Sequence, residues 1–443
     1  MARPREAPKQ YAPVRYNTQT IMGTDVFVGI SPRQLNDLAV AAYRKLRPGL
    51  FSGNGTVHGD SGQVALHWEV AQAPFFQLDA TFDSAEAKHA LLARMPETPG
   101  AEHAAAIENL IGGLQTFTIL LPEILITFPS LPAEPLLVLT ARIQANAAFR
   151  NHRIVFGVVS VSVSTFGTPL QQAVATQVIQ PAVQQLANQL LGGLSIPLPD
   201  VPGAILSPFN VGIVKGSLVA VATTNGPLPD LPTNGFPGLG APFVVALTKQ
   251  ALQVAANLVL TANNATITGG DSSGGSGLSV HYNYSVQAGN PQVEFVSGAT
   301  VPILFDLTGS AGAGAEVVYV PIGIGVNLGT DRPIELYLRV EAAGSTISLV
   351  YDSLSWFNVQ VSLSGAVGSL LGWMTDWLLS AIGNSLKPKL TNYLQGVNFG
   401  SLTLPNGTRM IGNVPVTVTT SLNQPLTMGT AGMLVISGKI QIS

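Results

Sequence analysis

The chain has 443 residues, enough to bury a large core or two, yet only 10% of them are charged, against roughly a quarter in ordinary globular domains. A net charge of −3 gives a nucleic-acid partner no electrostatic support, and the lack of cysteine excludes disulfides, thiolate metal sites and a cysteine nucleophile. So apolar a chain has two readings: its elements enclose an apolar cavity, or its sheets are so well covered that little surface is left.

Residues 1–20 hold prolines and charges around no apolar segment, and read as an N-terminal arm rather than a secretory signal. No stretch has the roughly 20 mainly apolar residues of a spanning helix. The compartment is therefore left open between the cytoplasm and export without a cleavable signal. A strand is expected over 24–30, then a helix over 31–46 with Ser31 at its N-cap, ended by Pro48-Gly49. Arg33, Arg44, Lys45 and Arg47 on that helix read first as a solvated face and second as a contact for anionic headgroups. Strands follow over 64–70, 75–82, 117–128, 136–145 and 154–165, with a polar insertion and short helix over 85–114.

The clearest element is a helix over 169–191. Leu170, Val174, Val178, Ala182, Leu186 and Leu190 form one i+4 row, and Pro181 predicts a kink near Gln177. Strands over 210–213 and 217–223 precede a proline-stiffened linker, 225–242. Beyond it come a helix over 248–260, a Gly/Ser loop over 269–277, and strands over 278–287, 292–296 and 301–307. An alternating strand spans 318–328, and further strands cover 334–340, 346–351 and 358–363. A closing helix over 367–394 carries Leu378, Ile382, Leu386 and Leu390 in one row, with Pro388 inside it, and three strands end the chain.

The second half restates the first. Ser31 and Thr248 each follow a short apolar strand and open a helix; Pro181 and Pro388 each sit inside a later helix. Ser195-Ile196-Pro197-Leu198-Pro199 resembles Ser401-Leu402-Thr403-Leu404-Pro405. Repeated markers in one order argue for a duplicated module of about two hundred residues. The expected division is an arm, 1–20; a first module, 21–224; a linker, 225–242; and a second module, 243–443.

Motifs for chemistry are missing. The histidines, His58, His67, His89, His103, His152 and His281, show no close metal-ligand spacing. His67 and His281 stand at similar places in the two halves, which favours a role in the fold. There is no Gly-x-Ser-x-Gly and no phosphate-cradling Gly-rich loop, and the carboxylates are scattered. No catalytic residue, metal or cofactor is expected, and the chain reads as a non-enzyme.

The plan of helix, long antiparallel strands, long proline-bearing helix and returning strand, given twice across a proline-rich linker, resembles the TULIP (tubular lipid-binding) superfamily. Its tandem form is that of the bactericidal/permeability-increasing proteins. Residues 30–46, 169–224, the linker and 367–420 carry the resemblance. It implies an α+β fold of two tandem elongated modules, each a highly curved antiparallel sheet wrapped around long helices, together boomerang-like. It also implies that lipid tails (phospholipid, fatty acid or sterol-like) lie between helices and sheet. The chain departs from the secreted animal members in having no cysteine, and from the endotoxin-binding members in lacking a strongly basic tip. That directs the resemblance toward bacterial relatives, which include accessory proteins encoded beside botulinum-type and insecticidal toxins. The expected lipid-lining residues are Leu35, Leu38, Val174, Val178, Leu186, Leu252, Leu378, Ile382 and Leu386. The partners expected are a lipid and, transiently, a membrane surface, with a protein partner open. The alternative is a structural or interaction protein, such as a toxin-complex accessory, whose barrels are filled by their own side chains.

Overall fold

The computed structural model describes residues 23–59, 62–78, 116–131, 135–164, 167–199, 205–224, 226–261, 266–275, 278–294, 300–317, 320–330, 332–355, 358–363, 372–397, 401–404, 406–411, 413–422, 427–429 and 432–443. The arm 1–20, the insertion 85–114 and the start of the closing helix lie outside the described residues.

The chain opens with β1 (Val26–Ile30), α1 (Pro32–Leu50), β2 (Ser52–Gly59), β3 (Gly62–Val70) and β4 (Phe75–Gln77). Next come β5 (Thr116–Thr127), β6 (Leu137–Arg150), β7 (Arg153–Val163), α2 (Pro169–Val174), a π-helical turn (Ala175–Ile179) and α3 (Gln180–Gly193). Then follow β8 (Ser195–Pro197), β9 (Asn210–Val214), β10 (Ser217–Ala222), β11 (Phe243–Thr248) and α4 (Lys249–Thr261). Long strands succeed it: β12 (Thr266–Gly275), β13 (Leu278–Val293), β14 (Thr300–Val317), β15 (Val320–Thr330), β16 (Ile334–Ala343), β17 (Thr346–Leu354) and β18 (Val359–Leu363). The chain closes with α5 (Gly372–Gly396), β19 (Ser401–Thr403), β20 (Gly407–Ile411), β21 (Val414–Leu422), β22 (Thr427–Gly429) and β23 (Met433–Ile442).

The fold is α+β, with three antiparallel sheets. A central sheet runs β20-β21-β23-β11-β1-β10-β9; a second runs β2-β3-β5-β6-β7-β8; a third runs β12-β13-β14-β16-β17-β19. One of the sheets curls into a half-barrel. At the middle of the central sheet β1 pairs with β11, Val26 opposite Leu247 and Ile30 opposite Phe243. Each of these two strands runs straight into a helix. Ser31 caps α1 by accepting from Gln34 N at 3.2 Å, and Thr248 Oγ1 accepts from Ala251 N at 3.3 Å, as expected for both.

The central strands are buried on both faces, so they read as continuous apolar runs rather than as alternation. Val26, Val28, Ile30, Val245 and Leu247 face the main core with the helices. Phe27, Val219, Val244 and Val435 face the other way, under Phe236, Leu231 and Leu239. The 225–242 segment, expected as a linker, thus packs on the sheet. Phe236 is 3% exposed and its ring lies 5.0 Å from that of Phe27.

Several elements differ from expectation. α1 continues through Pro48 and Gly49 to Leu50. Residues 278–287 and 292–296 are largely one strand, β13, with a register irregularity between Gly289 and Gln292, and the strand at 301–307 extends to Val317. The Gly/Ser stretch expected as a loop is β12, paired with β13 from Thr266 to Gly275. Gly and Ser usually punctuate strands, but here an aromatic side chain on the facing strand supplies the burial. Gly269 pairs with Tyr284, and an added Cβ would stand 2.4 Å from the tyrosine ring. The Gly-rich β2, which the sequence pattern did not mark as a strand, works the same way, with Gly53 opposite Trp68.

The two helix prolines behave differently. Before Pro181 the helix widens into the π-turn, in which Gln180 N donates to Ala175 O. Pro181 then stands in the first turn of α3, where a proline costs little. This wider turn stands at the position where the kink is expected. Pro388 instead lies inside the uninterrupted α5.

Candidate functional site

An apolar slot lies where α1, the end of α3 and the C-terminal strands meet. α1 contributes Leu35, Leu38, Ala39 and Ala42; the α3–β8 segment contributes Leu190, Leu194 and Ile196. The opposite wall is Ile411, Val416, Val418, Ile440 and Ile442 from β20, β21 and β23, and Phe76 and Phe156 complete it. Its polar side chains are Ser195 and Arg409. The cavity volume is about 50 Å³. An apolar cavity of roughly 150 Å³ accepts a benzene-sized molecule, and ligand pockets commonly span roughly 300–1,000 Å³. A molecule of that size therefore fits only if the walls part.

Buried polar contacts position the slot. Gln34 is 3% exposed; its Nε2 donates to Ile440 O at 2.7 Å, and its Oε1 accepts from Ile440 N at 3.2 Å. β11 pairs with β23 only as far as Gly438. The Gln34 amide takes the place of the missing strand and fastens α1 to the C-terminal wall. On the same helix, Tyr43 donates to Val70 O at 2.7 Å, and burial pushes its phenol above the usual range.

Leu35 and Leu38 line the slot. Val174, Leu186, Leu252, Ile382 and Leu386 are all buried in the main core, between 0% and 4% exposed. Val178 is half-buried at the core margin, and a Cβ added to Gly55 would meet it at 2.4 Å. The side chain of Leu378 lies outside the described residues. The C-terminal strand residues of the slot were not anticipated. Their signal was the alternation in Val414, Val416 and Val418 and in Ile440 and Ile442, but periodicity gives a face and not the distant helix it packs on.

A second cleft, more polar and open, surrounds Asp25 and Thr224. Asp25 Oδ2 accepts from Thr224 N at 2.7 Å and from Thr224 Oγ1 at 2.6 Å, while Oδ1 accepts from Thr248 Oγ1 at 3.0 Å. Both oxygens are engaged in joining the ends of β1, β10 and β11, a structural task. Among the described residues no group of three or more metal-ligating side chains occurs. His67 Nδ1 lies 2.9 Å from Asn54 Oδ1 on the neighbouring strand, in keeping with a role in the sheet. Among the described residues no helix is long and apolar enough to cross a membrane, which leaves β-barrels unaddressed.

No family model and no curated protein matches the sequence. Solved structures do match. A lipopolysaccharide-binding protein aligns over 95% of this chain and 99% of its own, at 10% identity and a TM-score of 0.33. P47 from Clostridium botulinum A2 aligns over 96% and 98%, at 11% identity and a TM-score of 0.40. P47 of Clostridium botulinum E1 aligns over 95% and 99%, at 8% identity and a TM-score of 0.38. These are the kinds of neighbour that the resemblance drawn from the sequence anticipates.

Proposed function

We propose that this chain is a non-enzymatic lipid-binding or lipid-transfer protein that takes an apolar tail into the slot between α1, α3 and the C-terminal strands. It would be built from two tandem modules, residues 21–224 and 243–443, joined by 225–242 and preceded by the arm 1–20. The observation that carries this reading is the slot itself. Apart from Ser195 and Arg409, its lining side chains are hydrocarbon from seven separate stretches of the chain. Each methylene buried there contributes about 0.8 kcal/mol, which offsets the cost of parting the walls once several have entered.

The test is lipid extraction and native mass spectrometry of the purified chain, beside a Leu38→Trp variant that fills the slot. The wild-type chain should hold lipid and the variant should lose it with an unchanged circular dichroism spectrum. Equal lipid in both would place the ligand elsewhere. A second reading has its own support. The cavity is small, and five of the nine anticipated lining residues belong to ordinary core. A structural or interaction protein with self-filled modules would hold no lipid in either form.

A further inference from the structure

The slot reaches the seam between two sheet edges, β8 of the second sheet and β20 of the central one. Two arginines meet there on one neutral oxygen. Arg409, from β20, donates through Nη1 to Ser195 Oγ on β8. Arg153, at the start of β7, donates through Nη1 to the same oxygen at 3.3 Å. Both arginines are half-buried, and among the described residues neither has a carboxylate within ion-pair distance. Among the described residues, Arg47 pairs with Glu69, and Arg339 with Glu341 and Asp352.

Two guanidiniums drawn to a single hydroxyl repel each other and leave most of their donors unmatched. An anion placed between them relieves both problems. We propose that Arg153 and Arg409, converging on Ser195 at the end of the apolar slot, hold the carboxylate of a single long-chain fatty acid whose tail enters the slot. The proposal rests on the lipid-binding reading above and names the class of lipid. A carboxylate has lone pairs enough to accept from both guanidiniums at once, and such charge-assisted bonds are about twice as strong as neutral ones. The narrow cavity, flanked by Leu38, Leu190 and Ile442, suits one chain rather than two. A phosphocholine headgroup has no net charge, because its phosphate arrives with a third cation attached. With a net charge of −3, the chain as a whole offers an anion no general attraction, so the pair is a local device.

The delipidated full chain would be titrated calorimetrically with palmitate, methyl palmitate, 1-palmitoyl-lysophosphatidylcholine and 1-palmitoyl-lysophosphatidate. Palmitate should bind at least tenfold more tightly than its methyl ester or the choline lipid. Arg153→Gln and Arg409→Gln should each weaken palmitate about tenfold, the range of a charge-assisted hydrogen bond, and methyl palmitate by clearly less, because its ester carbonyl accepts from a guanidinium without the charge. A circular dichroism spectrum equal to wild type verifies that each variant keeps its fold. Arg409→Lys, which keeps the charge and loses the fork, should fall between. Equal binding of palmitate and its ester, or palmitate affinity unaltered in both glutamine variants, overturns the headgroup assignment while tail binding stands. Lysophosphatidate binding tenfold more tightly than palmitate overturns the carboxylate in favour of a phosphate. If no lipid binds the wild-type chain, the lipid reading fails and the headgroup proposal with it.

Discussion

Gln34→Leu probes how the slot is held together. The substitution puts a branched, slightly shorter apolar side chain on α1 and removes both contacts to Ile440. Ile440 already faces Thr420 on its other side, and β11 does not extend to it. Its N–H and C=O would therefore be left buried without partners. An unsatisfied buried group costs about 1–3 kcal/mol, and some relief by rearrangement brings the pair to about 3 kcal/mol. Unfolding entropy near 2.1 cal/mol/K per residue gives about 0.9 kcal/mol/K for 443 residues. If the chain unfolds in one transition, Tm should fall by about 3 °C. Scanning calorimetry measures the shift, and hydrogen exchange locates it: the Ile440 amide should lose protection while Val435, still paired to β11, keeps it. A Tm within about 1 °C of wild type, with Ile440 as protected as before, would refute the idea that Gln34 replaces a strand.

Gly29→Ala should destabilise the central sheet by about 1–3 kcal/mol. The new Cβ would stand 2.9 Å from Val244 Cγ1, 3.0 Å from Phe236 Cζ and 3.1 Å from Leu239 Cδ1; a urea midpoint equal to wild type would show that the 225–242 segment gives way freely. The prolines should separate in a pair of melts. Pro388→Ala, in an uninterrupted helix, should stabilise by up to about 3 kcal/mol, whereas Pro181→Ala, in a first turn behind a π-turn, should change stability by less than about 1 kcal/mol. Equal gains would mean that the π-turn does not accommodate Pro181.

Local signals carried the helices well. Ser31 and Thr248 stand before α1 and α4 because a side-chain oxygen there meets an otherwise unpaired N–H, and that is written in the residue itself. The capping box at Thr168, where Gln171 answers the cap, went unread beside the more obvious Pro169. Strand identity was harder where burial comes from across the sheet. Nothing within β12 or β2 announces a strand, because Tyr284 and Trp68 cover their glycines from the facing strands. The site was legible in part. Leu35 and Leu38, three apart on α1, share one helical face, and they reach the slot. The same logic placed Val174 and Ile382 there, yet they pack into core. Periodicity tells which face turns inward and is silent on whether space remains beside it.

The same distinction decides between the two readings of so apolar a composition. An enclosed cavity and doubly covered sheets both demand few charges. The central sheet takes core side chains on one face and the 225–242 segment on the other, so strands such as β10 and β11 are buried on both sides. The slot, by contrast, has a cavity volume of only about 50 Å³. Double coverage of the central sheet therefore accounts for part of the apolar content without a standing void. This bears on function. A protein with a standing void gains the full transfer energy of each methylene that enters it. Here a tail must displace side chains such as Leu38 and Leu190 that already touch one another's neighbours, so part of that gain offsets repacking. Tail burial alone then discriminates poorly among lipids of similar length. On the lipid-binding reading proposed above, discrimination would come from the polar end of the slot, where Ser195 and its two arginines stand.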